Sequence, residues 1–413
     1  MTVRIAPGRR TLAAFVALGV VVALAAVVVA GRREDQRPVE VWEAAAPAVL
    51  EALPDGAFRH PGVLIGTDEL TRVKGKIDGG AEPWASAYRQ MAGTRYGNAD
   101  WQPRPRAVVE CGPYSDPDLG CTEEAEDGVA AYTQALMWHL TGDDRHARAA
   151  IRIIDAWAAV LERHTNDNGP LQSAWSAVPM VRAAELIRYS DAGWDPAPAE
   201  AMFRDVYLPE VIGGATWTNG NWELIMMEAA TGIAVFLDDR ASWDRALARF
   251  RERVKAYIYL ASDGPLPVAP PGETDVPEGQ LIGYWQGQET FVDGITQETC
   301  RDFGHTGWGL SAASHVAETA RLQGLNLWSE IQPRMVAALE LHMPYALGEK
   351  KAPSWLCDGE PDTESYAPLP EAARHHLVDR LGISLPGTTA YVRKYRPAEA
   401  AYFFAWETVT HGG

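Results

Sequence analysis

Residues 221–236 read NWELIMMEAATGIAVF, residues 237–240 read LDDR, and residues 241–260 read ASWDRALARFRERVKAYIYL. The outer runs carry apolar residues at helical spacing, and the aspartates between them stand where a helix start wants a cap. A link this short forces the second helix to turn back antiparallel on the first.

The same arrangement recurs on both sides. Residues 127–141 (DGVAAYTQALMWHLT) and 144–163 are joined by Gly142-Asp143, and residues 306–322 and 326–343 meet across Gly324-Leu325-Asn326. In the second of these runs Ile151, Ile154, Trp157 and Val160 mark one apolar face. Repeated helix hairpins point to an α/α toroid or an α-solenoid, and the irregular period favours the toroid. No run of short alternating strands occurs between residues 60 and 345, so the expectation is an all-α fold. The stretch from 383 to 413 leaves room for a strand or two. Residues 263–300 break the pattern with Pro265, Pro267, Pro270, Pro271 and Pro277, then Tyr284-Trp285. A long irregular segment of that kind reads as a lid or binding loop, or else as a surface insertion.

Before the helices, MTVRIAPGRR is followed by twenty uncharged residues and then GRRED. Residues 1–31 therefore read as a signal-anchor crossing a membrane, or as a signal peptide cleaved near Val28-Val29-Ala30. Residues 32–57 read as a linker, and residues 58–413 as the folded domain. Either form of the leader puts the domain outside the cytoplasm. Its four cysteines then have an oxidising setting, for which Cys111–Cys121 and Cys300–Cys357 are the expected bridges. Four buried thiols are the alternative. The formal charge of −18 argues against a nucleic-acid partner, which would need a basic face. Fifteen tryptophans serve mainly as core, with a few available to stack on sugar rings.

Two motifs stand at expected helix starts: Thr218-Asn219-Gly220-Asn221-Trp222 and Cys300-Arg301-Asp302-Phe303-Gly304-His305-Thr306. A helix N-terminus presents free N–H groups and a positive dipole end, suited to a carboxylate.

The strings NGNWELIMMEAATGIAVFLDDRASWDRA, YIYL and QETCRDFGHTGWGLSAASHVAETARLQG together resemble the alginate lyase domain family. Arg59-His60-Pro61-Gly62-Val63-Leu64 and Ala405-Trp406-Glu407-Thr408 extend the resemblance over nearly all of residues 58–410. It implies an incomplete α/α toroid and β-elimination across uronate linkages of an acidic polysaccharide, without a metal or other cofactor. The chemistry needs donors that neutralise the sugar carboxylate, a base for the C5 proton and an acid for the leaving oxygen. On that resemblance Asn221 and Arg301 match neutralising positions, with His305 as base. Family members carry Asn-Asn-His where this chain ends on Asn221. Many also carry a tyrosine where this chain has Thr306, Gly307 and Trp308, so Tyr284 is the substitute. Asn219, Trp222, Trp308 and His376 are expected to bind substrate, His376 as the one match in Arg374-His375-His376 to a family Tyr-Asn-His.

Each residue has a plainer alternative. Asn219 caps its helix, Arg301 pairs with Asp302 or Glu298, and the tryptophans pack. Competing functions are a glycoside hydrolase using two of Asp127, Glu223 and Asp302, and a surface polysaccharide-binding protein without catalysis. No HExxH, CxxC or serine elbow is present.

Overall fold

The first strands among the described residues form a short hairpin, β1 (Gly62–Val63) against β2 (Ile65–Gly66), and from there the chain is mostly helical. The structure, a computed structural model, describes residues 56–364, 368–398 and 400–413, all within one unit spanning Ala44–Gly413. The membrane segment expected at 1–31 and nearly all of the linker lie outside the described residues. Among the described residues no helix is long and apolar enough to cross a membrane.

Helices α1 (Thr67–Asp78) and α2 (Trp84–Gly93) precede a small three-stranded sheet, in which β3 (Val108–Cys111) pairs antiparallel with β4 (Asp118–Leu119). Then come α3 (Cys121–Thr141), α4 (Asp144–Ala158), strand β5 (Arg163–Thr165), parallel to β3, and α5 (Gly169–Arg188). Short α6 (Ala197–Met202) and α7 (Leu208–Val211) lead to α8 (Gly220–Phe236) and α9 (Arg240–Tyr257). A short helix, α10 (Glu278–Tyr284), lies in the irregular segment before α11 (Phe303–Leu322) and α12 (Trp328–Ala346). The chain closes with α13 (Glu371–Arg374), α14 (Pro386–Tyr395) and α15 (Glu407–His411), so the stretch after 383 is helical where strands were left open.

All three expected helix pairs form, and their local chemistry explains where they turn. Gly142 ends α3 at φ +71°, and its N–H bonds the Trp138 carbonyl at 2.7 Å. Asp143 and Asp239 cap α4 and α9 through their carboxylates. Val160, expected on the apolar face of α4, falls beyond its end and is exposed.

Packing sorts the helices into two layers. α3, α5, α8 and α11 lie side by side in that order, while α4, α9 and α12 return on the outside as partners of α3, α8 and α11. The inner helices are buried on almost every side; in α8 every residue but Trp222 is buried. Where their buried faces meet α15, charge replaces apolar packing. Arg182 of α5 is bonded to Glu228 of α8, and His315 of α11 bridges Glu228 at 2.9 Å and Glu407 of α15 at 3.0 Å. Burial would discharge His315, but the two carboxylates outweigh it and push it up to about 9. Both expected disulfides form, Cys111–Cys121 closing the β3–β4 hairpin and Cys300–Cys357 tying the start of α11 to a later loop.

Candidate active site

Four stretches of chain meet at one end of the inner layer: the start of α8, the end of α9, residues 294–302 and the start of α11. The end of α9 pins the irregular segment in place, because Ile258 bridges Thr296 and the Gln297 N–H bonds the Tyr257 carbonyl at 2.9 Å. Tyr257 itself sits between two glycines. A Cβ on Gly220 would stand 2.3 Å from the Tyr257 ring, and one on Gly309 would stand 2.4 Å from its hydroxyl. The missing side chains let α8 and α11 close on the tyrosine from both sides.

The Tyr257 hydroxyl reaches Glu298, at 3.2 Å, and Glu298 is the centre of the constellation. Its buried carboxylate accepts from the Asn221 side-chain nitrogen at 2.7 Å on each oxygen and from the Asn221 main-chain N–H at 3.1 Å. Arg301 Nη1 adds a further bond at 2.8 Å. A buried carboxylate needs such donors, and here they arrive from three separate helices or loops.

Arg301 and His305 form the open rim. Their side chains keep 26% and 29% exposure, whereas those of Glu298 and Asp302 keep 0% and 18%. Asp302 caps α11 by accepting the His305 main-chain N–H at 2.7 Å, and its other oxygen lies 2.6 Å from His305 Nδ1. Burial pushes the Asp302 carboxyl up, yet the bonds from His305 outweigh it and hold the group below its ordinary range. Arg301 Nε is 3.9 Å from the same carboxylate. Among the described residues, His305 Nε2 has no hydrogen-bond partner.

The rim continues into aromatic surface. Trp308 lies 5.3 Å from the His305 ring, and Trp175 and Tyr402 surround Trp308 at 5.4 and 5.8 Å. Trp175 and Tyr402 also line a cavity of about 370 Å³ with Tyr96, Tyr114 and Gln172. A second cavity, about 320 Å³, lies beside Gln286 and the Cys300–Cys357 bridge. Gln286 in turn donates to Asn219 at 3.1 Å. Among the described residues no three His, Cys, Asp or Glu side chains gather as a metal ion would need.

Of the residues expected from sequence, the structure brings Asn219, Asn221, Arg301, His305 and Trp308 together, and several of them differ in role. Asn221 is fully buried and its donors are taken by Glu298, so in this arrangement it holds Glu298 rather than facing a sugar. Asn219 occupies the N-cap position of α8 without capping through its side chain; its oxygen accepts from Gln286 and Gln297 instead. Tyr284 lies near Asn219, but its hydroxyl donates to the Thr218 carbonyl at 2.8 Å and accepts from Arg253 at 2.7 Å. Burial and nearby carboxylates raise it to about 12, against the pull of Arg253, so its proton is committed to the fold. Trp222 is half-buried on α8. His376 lies elsewhere, buried and stacked on Trp328 at 4.4 Å with Glu318 beside it, which removes it from any substrate surface. Arg301 does pair with Glu298 and Asp302, as the plainer alternative had it, and still remains part-exposed.

The carboxylates a glycoside hydrolase would need are engaged locally. Asp127 accepts from Trp101, Trp157 and Arg104, and Glu223 is buried against Arg249 and Arg253. Tyr257, Gln297, Trp175 and Tyr402 are not among the residues expected from the sequence, and Glu298 is expected only as an ion-pair partner. The strings YIYL and QETCRDFGH did contain Tyr257, Gln297 and Glu298, but no spacing rule links them.

Residues 82–268 match the family model described as alginate lyase. The match takes in the start of α8 and stops short of Glu298. No curated protein matches the chain in sequence. Among solved structures, an alginate lyase from Bacteroides ovatus is similar at 15% identity and a TM-score of 0.54, over 85% of this chain and 99% of that one. Alginate lyase A1-III from Sphingomonas species A1 is similar at 16% identity and a TM-score of 0.54, over 87% of this chain and 99% of that one. A variant of alginate lyase A1-III complexed with a tetrasaccharide is similar at 15% identity and a TM-score of 0.53, over 83% and 93%. Likeness at these identities speaks for the fold.

Proposed function

We propose that this chain, which carries the alginate lyase family pattern over residues 82–268, is a polysaccharide lyase that cleaves a uronate-containing polymer by β-elimination. The observation that carries the reading is the start of α11, where a part-exposed guanidinium and an imidazole with a free Nε2 stand four residues apart, with Trp308 against the imidazole and Trp175, which lines an aromatic cavity, behind it. The side-by-side row of α3, α5, α8 and α11 with outer return helices supports the finer description of the fold as an incomplete α/α toroid. The two disulfides favour an extracytoplasmic setting, with the N-terminal segment as anchor or signal.

A hydrogen α to a carboxylate is poorly acidic until the carboxylate's charge is balanced. Arg301 is the cation available for that, and it strengthens its hold as charge grows toward the enolate-like transition state. His305 Nε2 takes the C5 proton, the C5–H electron pair forms the C4–C5 double bond, and the C4–O4 bond breaks. The departing O4 then takes up a proton, for which the imidazolium is a source. Trp308, Trp175 and Tyr402 offer faces for neighbouring sugar rings. No cofactor enters this scheme, so turnover should persist in EDTA.

The test is a panel of uronans (alginate, polyglucuronate and mixed polymers) assayed for an ultraviolet-absorbing unsaturated product. Product formation that disappears in His305→Gln supports the reading. Reducing ends without the double bond would replace it with hydrolysis.

A further inference from the structure

Asp302 uses its two oxygens on two different donors. Oδ1 accepts the main-chain N–H of His305 at 2.7 Å, which caps α11, and Oδ2 lies 2.6 Å from Nδ1 of the same residue's ring. An ionised carboxylate can only accept hydrogen bonds, so Nδ1 must carry the ring proton and the neutral ring keeps its lone pair on Nε2. We propose that Asp302 is a positioning residue that fixes His305 in the Nδ1–H form and leaves Nε2 of this part-exposed ring as its unprotonated, free acceptor. The inference rests on the reading of His305 as the base that takes the C5 proton.

The surroundings hold the ring in this orientation. Trp308, one turn further along α11, lies 5.3 Å from it, and the Tyr257 hydroxyl sits 3.2 Å from the His305 carbonyl. The Phe303 N–H is bonded to the Asp362 carbonyl at 2.9 Å, which ties the start of α11 to a second loop. The charged groups facing the ring are Asp302 and, through it, Arg301, whose own guanidinium is engaged by Glu298. When Nε2 accepts the sugar's proton, the electrons of the C5–H bond pass into the new double bond and O4 leaves with its pair. The ring becomes an imidazolium facing the Asp302 carboxylate, which stays ionised throughout.

Two substitutions separate this role from simple capping. Asparagine and serine both cap helices about as well as aspartate. An asparagine that keeps the cap must turn its amide N–H toward Nδ1, which donates to the ring and drives the proton to Nε2, the wrong place for a base. A serine caps with its hydroxyl and leaves Nδ1 without a partner, so the ring samples both forms. The expected order of kcat is therefore wild type, then D302S, then D302N. The D302N loss should be about 10²- to 10⁴-fold, the scale that wrong-tautomer substitutions reach elsewhere. KM should change little, and both variants should melt near wild type. Nitrogen NMR of histidine-labelled protein reads the ring directly: Nδ1–H in wild type, Nε2–H in D302N. D302N and D302S both turning over at the wild-type rate, or a wild-type His305 signal in the Nε2–H form, would overturn the proposal. If the signals switch as expected in a protein inert on every uronan, the orienting contact stands and the lyase reading falls.

Discussion

Arg301 has a carboxylate on each side, Glu298 at 2.8 Å and Asp302 at 3.9 Å, and still keeps a quarter of its side chain in solvent. A planar guanidinium can bond Glu298 with one nitrogen while others face a ligand; an ammonium is a single point. Arg301→Lys should therefore keep the fold, with a melting temperature within a few degrees of wild type, and lower kcat/KM by about 10²-fold or more through loss of an interaction that strengthens in the transition state. A Lys variant with wild-type kcat/KM would leave Arg301 as an ion-pair residue only. Arg301 and His305 were legible in the sequence because they share one short motif at a helix start. Glu298 was not legible as a centre, since its donors, Asn221, Tyr257 and Arg301, come from stretches up to 80 residues apart. Asn221 was picked out by resemblance as a neutraliser of a sugar carboxylate, and the carboxylate it meets in this structure is that of Glu298. Nothing in local pattern shows which acceptor a buried amide will meet.

At the scale of elements, the site depends on how closely α8 and α11 approach Tyr257. Gly309→Ala sets a methyl 2.4 Å from the Tyr257 hydroxyl, so the ring or the helix must move. The expected cost is about 1–3 kcal/mol of stability, as for other overpacked cores, together with a loss of turnover as Glu298 and Arg301 shift. Denaturant unfolding and steady-state rates check both, and a variant as stable and active as wild type would mean that this approach is not tight. The three helix hairpins were readable because short turns and capping aspartates punctuate them. α5 was not. It carries Pro170 and Pro179, and 17 of its residues are buried, so it shows neither a clean start nor an amphipathic face. A helix surrounded by other helices loses the period by which helices are recognised. For the opposite reason α14 and α15, short and tied down by tertiary bonds such as those of Glu340 and Glu371, left a strand reading open.

For the whole molecule, buried histidine ion pairs set the response to alkali. Carboxylates on either side hold His315 charged up to about 9 and His164 up to about 10, in both cases against the opposing pull of burial. Unfolded histidine titrates near about 6.5. The stabilisation from these raised groups is therefore complete below about pH 6.5 and is lost as pH rises through about 9 and then about 10. Denaturant midpoints should hold steady below about pH 6.5 and fall from there to about pH 10, and His315→Gln should flatten the first part of that fall. A midpoint that rises with pH over this window would contradict the assignment of charged histidines. Net charge has a second consequence. With −18 overall and Glu298 and Asp302 beside Arg301, the protein meets a polyanionic substrate with repulsion at long range. Added salt, which screens charges beyond about 8 Å at physiological strength, should raise kcat/KM on a uronan. A steep fall with salt would point to a basic cleft that this arrangement does not supply. Elimination at the start of α11 is tested by the ultraviolet absorbance of products from alginate and related uronans, with wild type and His305→Gln side by side. Wild type should give a rising unsaturated-product signal that falls about 10²-fold or more in the variant. An equal signal from both proteins, or cleavage without the double bond, would contradict it.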